Sequence, residues 1–289
     1  MNCVSAMASR PFYLPGPKGQ RLCIYHPPQG SAQRGWVLYV HPFAEEMNRS
    51  RRMAALQARA LAEAGFAVLQ PDLLGCGDSS GDFADASWED WISDVVRSAQ
   101  WLLEQRRIDQ PTNGPQMRLW LWGLRAGCLL CQQAAQHLQE PCNFLYWQPP
   151  WSGRVVLQQF LRLHQACALL SGARSGASES LLAQLEQGRT VEVAGYCLPA
   201  ALAQGLLSAQ LCAPSGALPP QRVEWFEMTC LQPHHLTPMS AQARQAWCTP
   251  TLRTVRHGLS GPAFWQSHTT EHAPDLVAAT TAALCSELP

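Results

Sequence analysis

Five residues, Gly123-Leu124-Arg125-Ala126-Gly127, have the spacing of a nucleophile elbow. In such an elbow a side chain between two glycines sits on a sharp turn joining a buried strand to a helix. The apolar run Met117–Trp122 before it and the run Cys128–Ala135 after it supply that strand and that helix. The residue at the apex is Arg125, with Ala126 beside it. A guanidinium stays protonated and has no free lone pair, so it cannot attack a carbonyl. Its planar donors suit a carboxylate or phosphate, which helix N-terminal amides also favour. The spacing therefore predicts either an anion-binding arginine or an internal ion pair with Glu45 or Glu46. Breaking a desolvated pair by removing one partner would cost about 3–5 kcal/mol.

Other residues fall near the same chain positions. His41-Pro42 ends one apolar run, and Glu45, Glu46, Asn48 and Arg51 follow it. Asp72-x-x-Gly75-x-Gly77-Asp78-Ser79-x-Gly81 ends the next. Asp72, Asp78 and Ser79 can line a pocket or fix the turn through backbone amides. Gln148, in Trp147-Gln148-Pro149-Pro150-Trp151, ends a third run, and its aromatic neighbours can floor a sugar site or pack in the core. A serine-type mechanism also needs a base and an acid to orient it. Glu227 is the only carboxylate in the segment Glu227 to Cys230, where the acid would follow a late strand; His268 has the best register for the base, with His257 and His272 nearby. Alternative nucleophiles are Cys128, one step into the helix, and Ser79 and Ser80, which have no assigned base. These pieces do not add up to a triad.

The elements that must position them alternate. Short continuous apolar runs at 36–40, 66–70, 117–122, 144–147, 223–227 and 251–255 predict buried parallel strands. Helical patterns at 49–64, 87–107 and 128–137 lie between them, and a last helix spans 275–284. Two short strands, 12–14 and 21–25, precede the alternation. This is an α/β chain with a mostly parallel central sheet and helices on both faces, whose ligands bind at the carboxyl ends of the strands. One domain over residues 1–289 is expected. The alternation stops from 149 to about 195, where helices at 155–170 and 199–211 predict a small cap-like insertion, approximately 151–200.

Composition narrows the function classes. A net charge of zero gives no electrostatic footprint for nucleic acid. No apolar run is long enough for a membrane span, and the first ten residues lack the apolar core of a secretory signal. A cytoplasmic protein is expected, its 12 cysteines acting as small reduced apolar residues. Cys128-x-x-Cys131 has no companion ligand cluster, so neither a metal nor a cofactor is predicted.

The Asp72–Gly81 turn, the His41-Pro42 pair and the elbow together resemble the α/β-hydrolase superfamily, whose members usually carry His-Gly where His41-Pro42 stands. More narrowly, His41–Asn48 with Arg51-Arg52, Trp122–Arg125 and Gly261–Trp265 resemble the exosortase A system-associated hydrolase 2 family. The resemblance implies a bacterial cytoplasmic protein linked to exopolysaccharide production and acting on ester-like substrates. The missing elbow serine leaves two readings open. One is a non-standard hydrolase; the other is an inactive relative that binds an anionic small molecule, a saccharide-linked anion or a protein partner.

Overall fold

In a computed structural model the described residues are 8–30, 33–109, 119–170, 180–213, 221–229, 247, 252–267, 269 and 271–286. The chain opens with a hairpin, β1 (Arg10–Gly16) and β2 (Gly19–His26), followed by β3 (Gly35–Val40), α1 (Glu45–Glu63) and β4 (Phe66–Pro71). Then come α2 (Trp88–Asp109), β5 (Leu119–Leu124), α3 (Ala126–Ala135) and β6 (Cys142–Trp147). Between β6 and the next sheet strand lie α4 (Gly153–Leu170), α5 (Leu181–Glu186), the small hairpin β7 (Val191–Val193) and β8 (Tyr196–Leu198), and α6 (Ala200–Ser208). Strands β9 (Gln221–Thr229) and β10 (Leu252–Ser260) and helix α7 (Pro274–Cys285) complete the described elements.

Eight strands form one sheet in the order β1-β2-β4-β3-β5-β6-β9-β10. Pairings from β4 through β10 are parallel, and β1-β2 and β2-β4 are antiparallel. Every residue of β3, β5 and β6 is buried, as required of strands covered on both faces. The alternation of side chains then divides the core. Trp36, Leu38, Leu121, Phe144 and Trp225 pack towards α2, α3 and the inserted helices. Val37, Tyr39, Trp122, Leu145 and Phe226 pack towards α1 and α7.

Several element boundaries differ from the sequence pattern. Helix α1 begins at Glu45, four residues earlier than the apolar periodicity indicates, because its first turn carries acids suited to a helix N-terminus. The inserted segment runs past 200 to the end of α6, and α5 and the β7-β8 hairpin have no counterpart in the sequence reading. That hairpin turns on Ala194 and Gly195, both at positive φ, a weaker signal than Asn-Gly.

Two close approaches seat the elbow. A Cβ on Gly127 would stand 2.2 Å from the Val40 carbonyl oxygen, so α3 meets β3 backbone to backbone there. A Cβ on Gly123 would fall 2.5 Å from the Cys128 amide nitrogen. Gly127→Ala should therefore destabilise the fold by roughly 2 kcal/mol or more, measured by urea denaturation; a wild-type midpoint would contradict this packing.

Candidate functional site at the elbow

Arg125 takes φ 53° and ψ −121°, a left-handed conformation that a branched or long side chain adopts only under constraint. Two other non-glycine residues at the carboxyl edge of the sheet also have positive φ: Ala44 (48°), after β3, and Gln148 (46°), after β6. The Arg125 amide donates to Trp147 O at 2.9 Å, and Arg125 O accepts from the Cys128 amide. Arg125 is thereby the N-cap of α3, and Ala126 is the first helical residue, whose N–H has no acceptor within the helix.

The guanidinium does not face solvent. Arg125 is 7% exposed. Its Nε donates to Glu46 Oε1 at 3.3 Å, and its Nη2 donates to Gln159 Oε1 on α4. The Trp265 ring lies 6.0 Å from the guanidinium carbon. A cation at a helix N-terminus opposes the helix dipole, and Glu46 supplies the compensating negative charge. Glu45 Oε1 lies 3.9 Å from Arg49 Nη1. Burial raises the Glu46 carboxyl to about 7; Arg125 opposes that shift and Glu45 adds to it. Glu46 Oε2 is buried and accepts no hydrogen bond among the described residues.

Glu46 lines a cavity of ≈ 200 Å³, with Phe43, Glu45 and Arg49 on one side and Gln159 and Phe160 of α4 on the other. The inserted segment thus forms a wall of the elbow site. Tyr196 on β8 holds it there by edge contacts with Phe83 and Phe160 and by accepting from Asn48 Nδ2 at 3.4 Å.

The remaining predicted residues take structural positions around this site. The His41 ring is buried; Nδ1 donates to Pro42 O at 2.8 Å and Nε2 accepts from Leu73 N at 3.3 Å. Burial lowers its pKa, so it joins two strand-end loops as a neutral ring. Asp72 Oδ2 accepts from Arg51 Nη2 at 3.0 Å and from the Asp78 amide at 3.3 Å; the rest of Asp78 is exposed. Ser79 Oγ donates to Asp72 O and accepts from Leu22 N, which leaves it committed to the turn. Gln148 bridges strands, donating its amide to Phe226 O and accepting from Met228 N.

None of the alternative nucleophiles is poised. Cys128 is fully buried, its thiol donating to Gly123 O at 3.2 Å, and burial raises its pKa well above the ordinary thiol value. Ser80 Oγ accepts from Gln20 N. Glu227 accepts from the Trp225 indole at 2.7 Å. His268 lies outside the described residues, and His272 is exposed. A carboxylate–histidine pair does exist: His257 Nε2 meets Glu224 Oε2 at 2.6 Å. It stands on β9 and β10, with His257 opposite Phe226. Three strand spacings, roughly 14 Å, separate the β10 backbone from β5, so the pair cannot serve the elbow. Glu224 instead balances Arg222, which donates to the Ala283 and Ser286 carbonyls ending α7.

Comparison with known proteins agrees with this architecture. The chain matches the model of the X-Pro dipeptidyl-peptidase S15 family over residues 21–156. No curated protein is a recognisable sequence relative. Among solved structures it resembles XC6422 from Xanthomonas campestris, described as an α/β serine hydrolase without lid, at 18% identity and TM-score 0.52, covering 95% of this chain and 92% of that one. Est1E from Butyrivibrio proteoclasticus, with bound ferulic acid, aligns at TM-score 0.63 and 12% identity over 94% and 97% of the two chains. A soluble variant of monoglyceride lipase from Saccharomyces cerevisiae gives 0.58 and 11% over 97% and 96%. The chain has the fold of the α/β-hydrolase superfamily, with arginine at the apex of the elbow. No described helix is long and apolar enough to cross a membrane.

The sequence offers Glu45 or Glu46 as the partner of Arg125, of which Glu46 is the one in contact, and gives no sign of Gln159 or Tyr196. Both belong to the inserted segment, whose docking no local pattern encodes.

The raised Glu46 pKa sets a pH dependence. The folded-state value near 7 lies above the ordinary carboxyl value of 4.5, so the folded state holds this proton more tightly. That contribution is complete below about pH 4.5 and is lost as pH rises through 7. Glu46→Gln removes it. Between pH 5 and pH 8 wild type should lose on the order of 3 kcal/mol relative to Glu46→Gln in denaturation experiments; parallel pH profiles would contradict the assignment.

Proposed function

We propose that this α/β-hydrolase-fold protein uses its elbow cavity to bind a small ligand without forming an acyl-enzyme. One observation carries the reading: the nucleophile position holds Arg125, and its guanidinium is tied to Glu46 and Gln159. No described serine or cysteine at the strand ends is free and paired with a base. The anion-binding role expected of Arg125 loses support, because Glu46 already supplies the counter-charge. The resemblance of the His41–Asn48 and Trp122–Arg125 motifs favours a cytoplasmic role in bacterial exopolysaccharide production, with a saccharide-linked molecule or a protein as the wider partner.

A second reading rests on Glu46. A buried carboxyl near neutrality is in the range of a general base. In that role Glu46 would activate water towards an ester-like substrate without a covalent intermediate. Treatment with a fluorophosphonate probe and assay on short-chain acyl esters separates these readings. The binding reading expects neither labelling nor hydrolysis. Hydrolysis without labelling, lost in Glu46→Gln, would establish the second; labelling of wild type would overturn both.

A further inference from the structure

A serine hydroxyl and an imidazole also meet away from the elbow, where the β1-β2 hairpin joins β4. Arg10 pairs with Tyr25 across that hairpin, so Ser9 stands opposite His26. His26 in turn pairs with Val68 on β4, which places Gln70, two residues on, along the same face. The contacts follow the register. Ser9 Oγ lies 2.8 Å from His26 Nδ1, and Gln70 Oε1 lies 2.9 Å from His26 Nε2. The Gln70 oxygen is an acceptor only, so the ring proton is on Nε2 and Nδ1 accepts from the Ser9 hydroxyl. His26 is buried, whereas Ser9 is exposed. Burial lowers the His26 pKa, with Gln70 opposing that shift and Arg59 adding to it, so the ring is a neutral base near pH 7.

We propose that Ser9 is an acyl-acceptor site, whose hydroxyl takes a short aliphatic acyl group from an activated ester or thioester with His26 as the base. The bond from Ser9 Oγ to the acyl carbon forms, and the bond from that carbon to the leaving oxygen or sulfur breaks. The Ser9 proton passes to His26 Nδ1 and from there to the leaving group. A hydroxyl is a weak nucleophile until an adjacent base takes its proton, and a third group must orient that base; Gln70 does so through the other ring nitrogen. The site modifies its own chain once and does not turn over. The inference goes beyond the elbow reading and does not rest on it.

A recess for the acyl chain borders the base. Gln70 lines a cavity of ≈ 210 Å³ with Ile24, Met47, Ala54 and Pro71. Arg51 and Asp72 are also in its wall but are paired with each other, so the remaining surface suits an uncharged aliphatic chain. Ile24 is two residues from His26 along β2, about 7 Å, a span that about six carbons bridge from the Ser9 side.

Incubation of the full chain with p-nitrophenyl hexanoate and p-nitrophenyl acetate, followed by peptide mass spectrometry, tests the proposal. One acyl group on Ser9 is expected, with hexanoyl transfer at least about tenfold faster than acetyl transfer. His26→Gln should slow the transfer about a hundredfold. Ser208 is the internal control: it is exposed, and its hydroxyl donates to Gln204 O and not to a base. If His26→Gln does not fold, Ser9 against Ser208 in wild type and the two chain lengths decide alone. Modification of Ser9 no faster than of Ser208, or acetyl transfer as fast as hexanoyl, would overturn the proposal. In Ser9→Ala the probe and ester tests of the elbow run free of this site, so the two readings fail separately.

Discussion

A permanent cation at the first turn of a buried helix must have a counter-charge, and the elbow is built on that requirement. Arg125 occupies a strained backbone position at the N-terminus of α3, where both desolvation and the helix dipole oppose it. Glu46 answers from the first turn of α1, where the other helix dipole favours an acid. The two helices that flank β3 thus meet through one ion pair at the strand ends. Such a pair need add little net stability, but each member becomes hard to replace alone.

The pair also brings the inserted segment into the site. Gln159 on α4 accepts from the same guanidinium, so a helix of the inserted segment is held to the elbow by a polar contact. Tyr196 holds the β7-β8 hairpin against Phe83, Phe160 and Asn48. Beneath them, Asp94 Oδ2 accepts from Arg21 Nε at 2.7 Å and from the Leu74 amide at 2.9 Å. This buried carboxylate joins β2, the turn after β4 and helix α2. Charged side chains thereby fix the loops at the carboxyl edge, while tryptophans and aliphatic residues fix the sheet below.

The central strands were legible in the sequence because strands covered on both faces must be continuously apolar. The elbow was legible because only glycine fits where Gly123 meets the Cys128 amide and Gly127 meets the Val40 carbonyl. The start of α1 was less so: Glu45 to Asn48 carry no apolar stripe, and only their acids mark a helix N-terminus. Gln159 was illegible, since its partner lies 34 residues away and its helix shows only an amphipathic pattern. The Glu224–His257 pair shows the opposite hazard. Its residue types suit an acid–base relay, but strand register assigns it to the support of α7.

The account turns on whether Glu46 is a buried carboxyl neutralising Arg125. The most direct measurement is a carbon-13 NMR titration of the Glu46 side-chain carboxyl in wild type and in Arg125→Met. The account predicts a midpoint near 7 in wild type and a higher one in the variant, where the opposing cation is gone. A midpoint at the ordinary glutamate value of about 4.3, unchanged by the substitution, would contradict it.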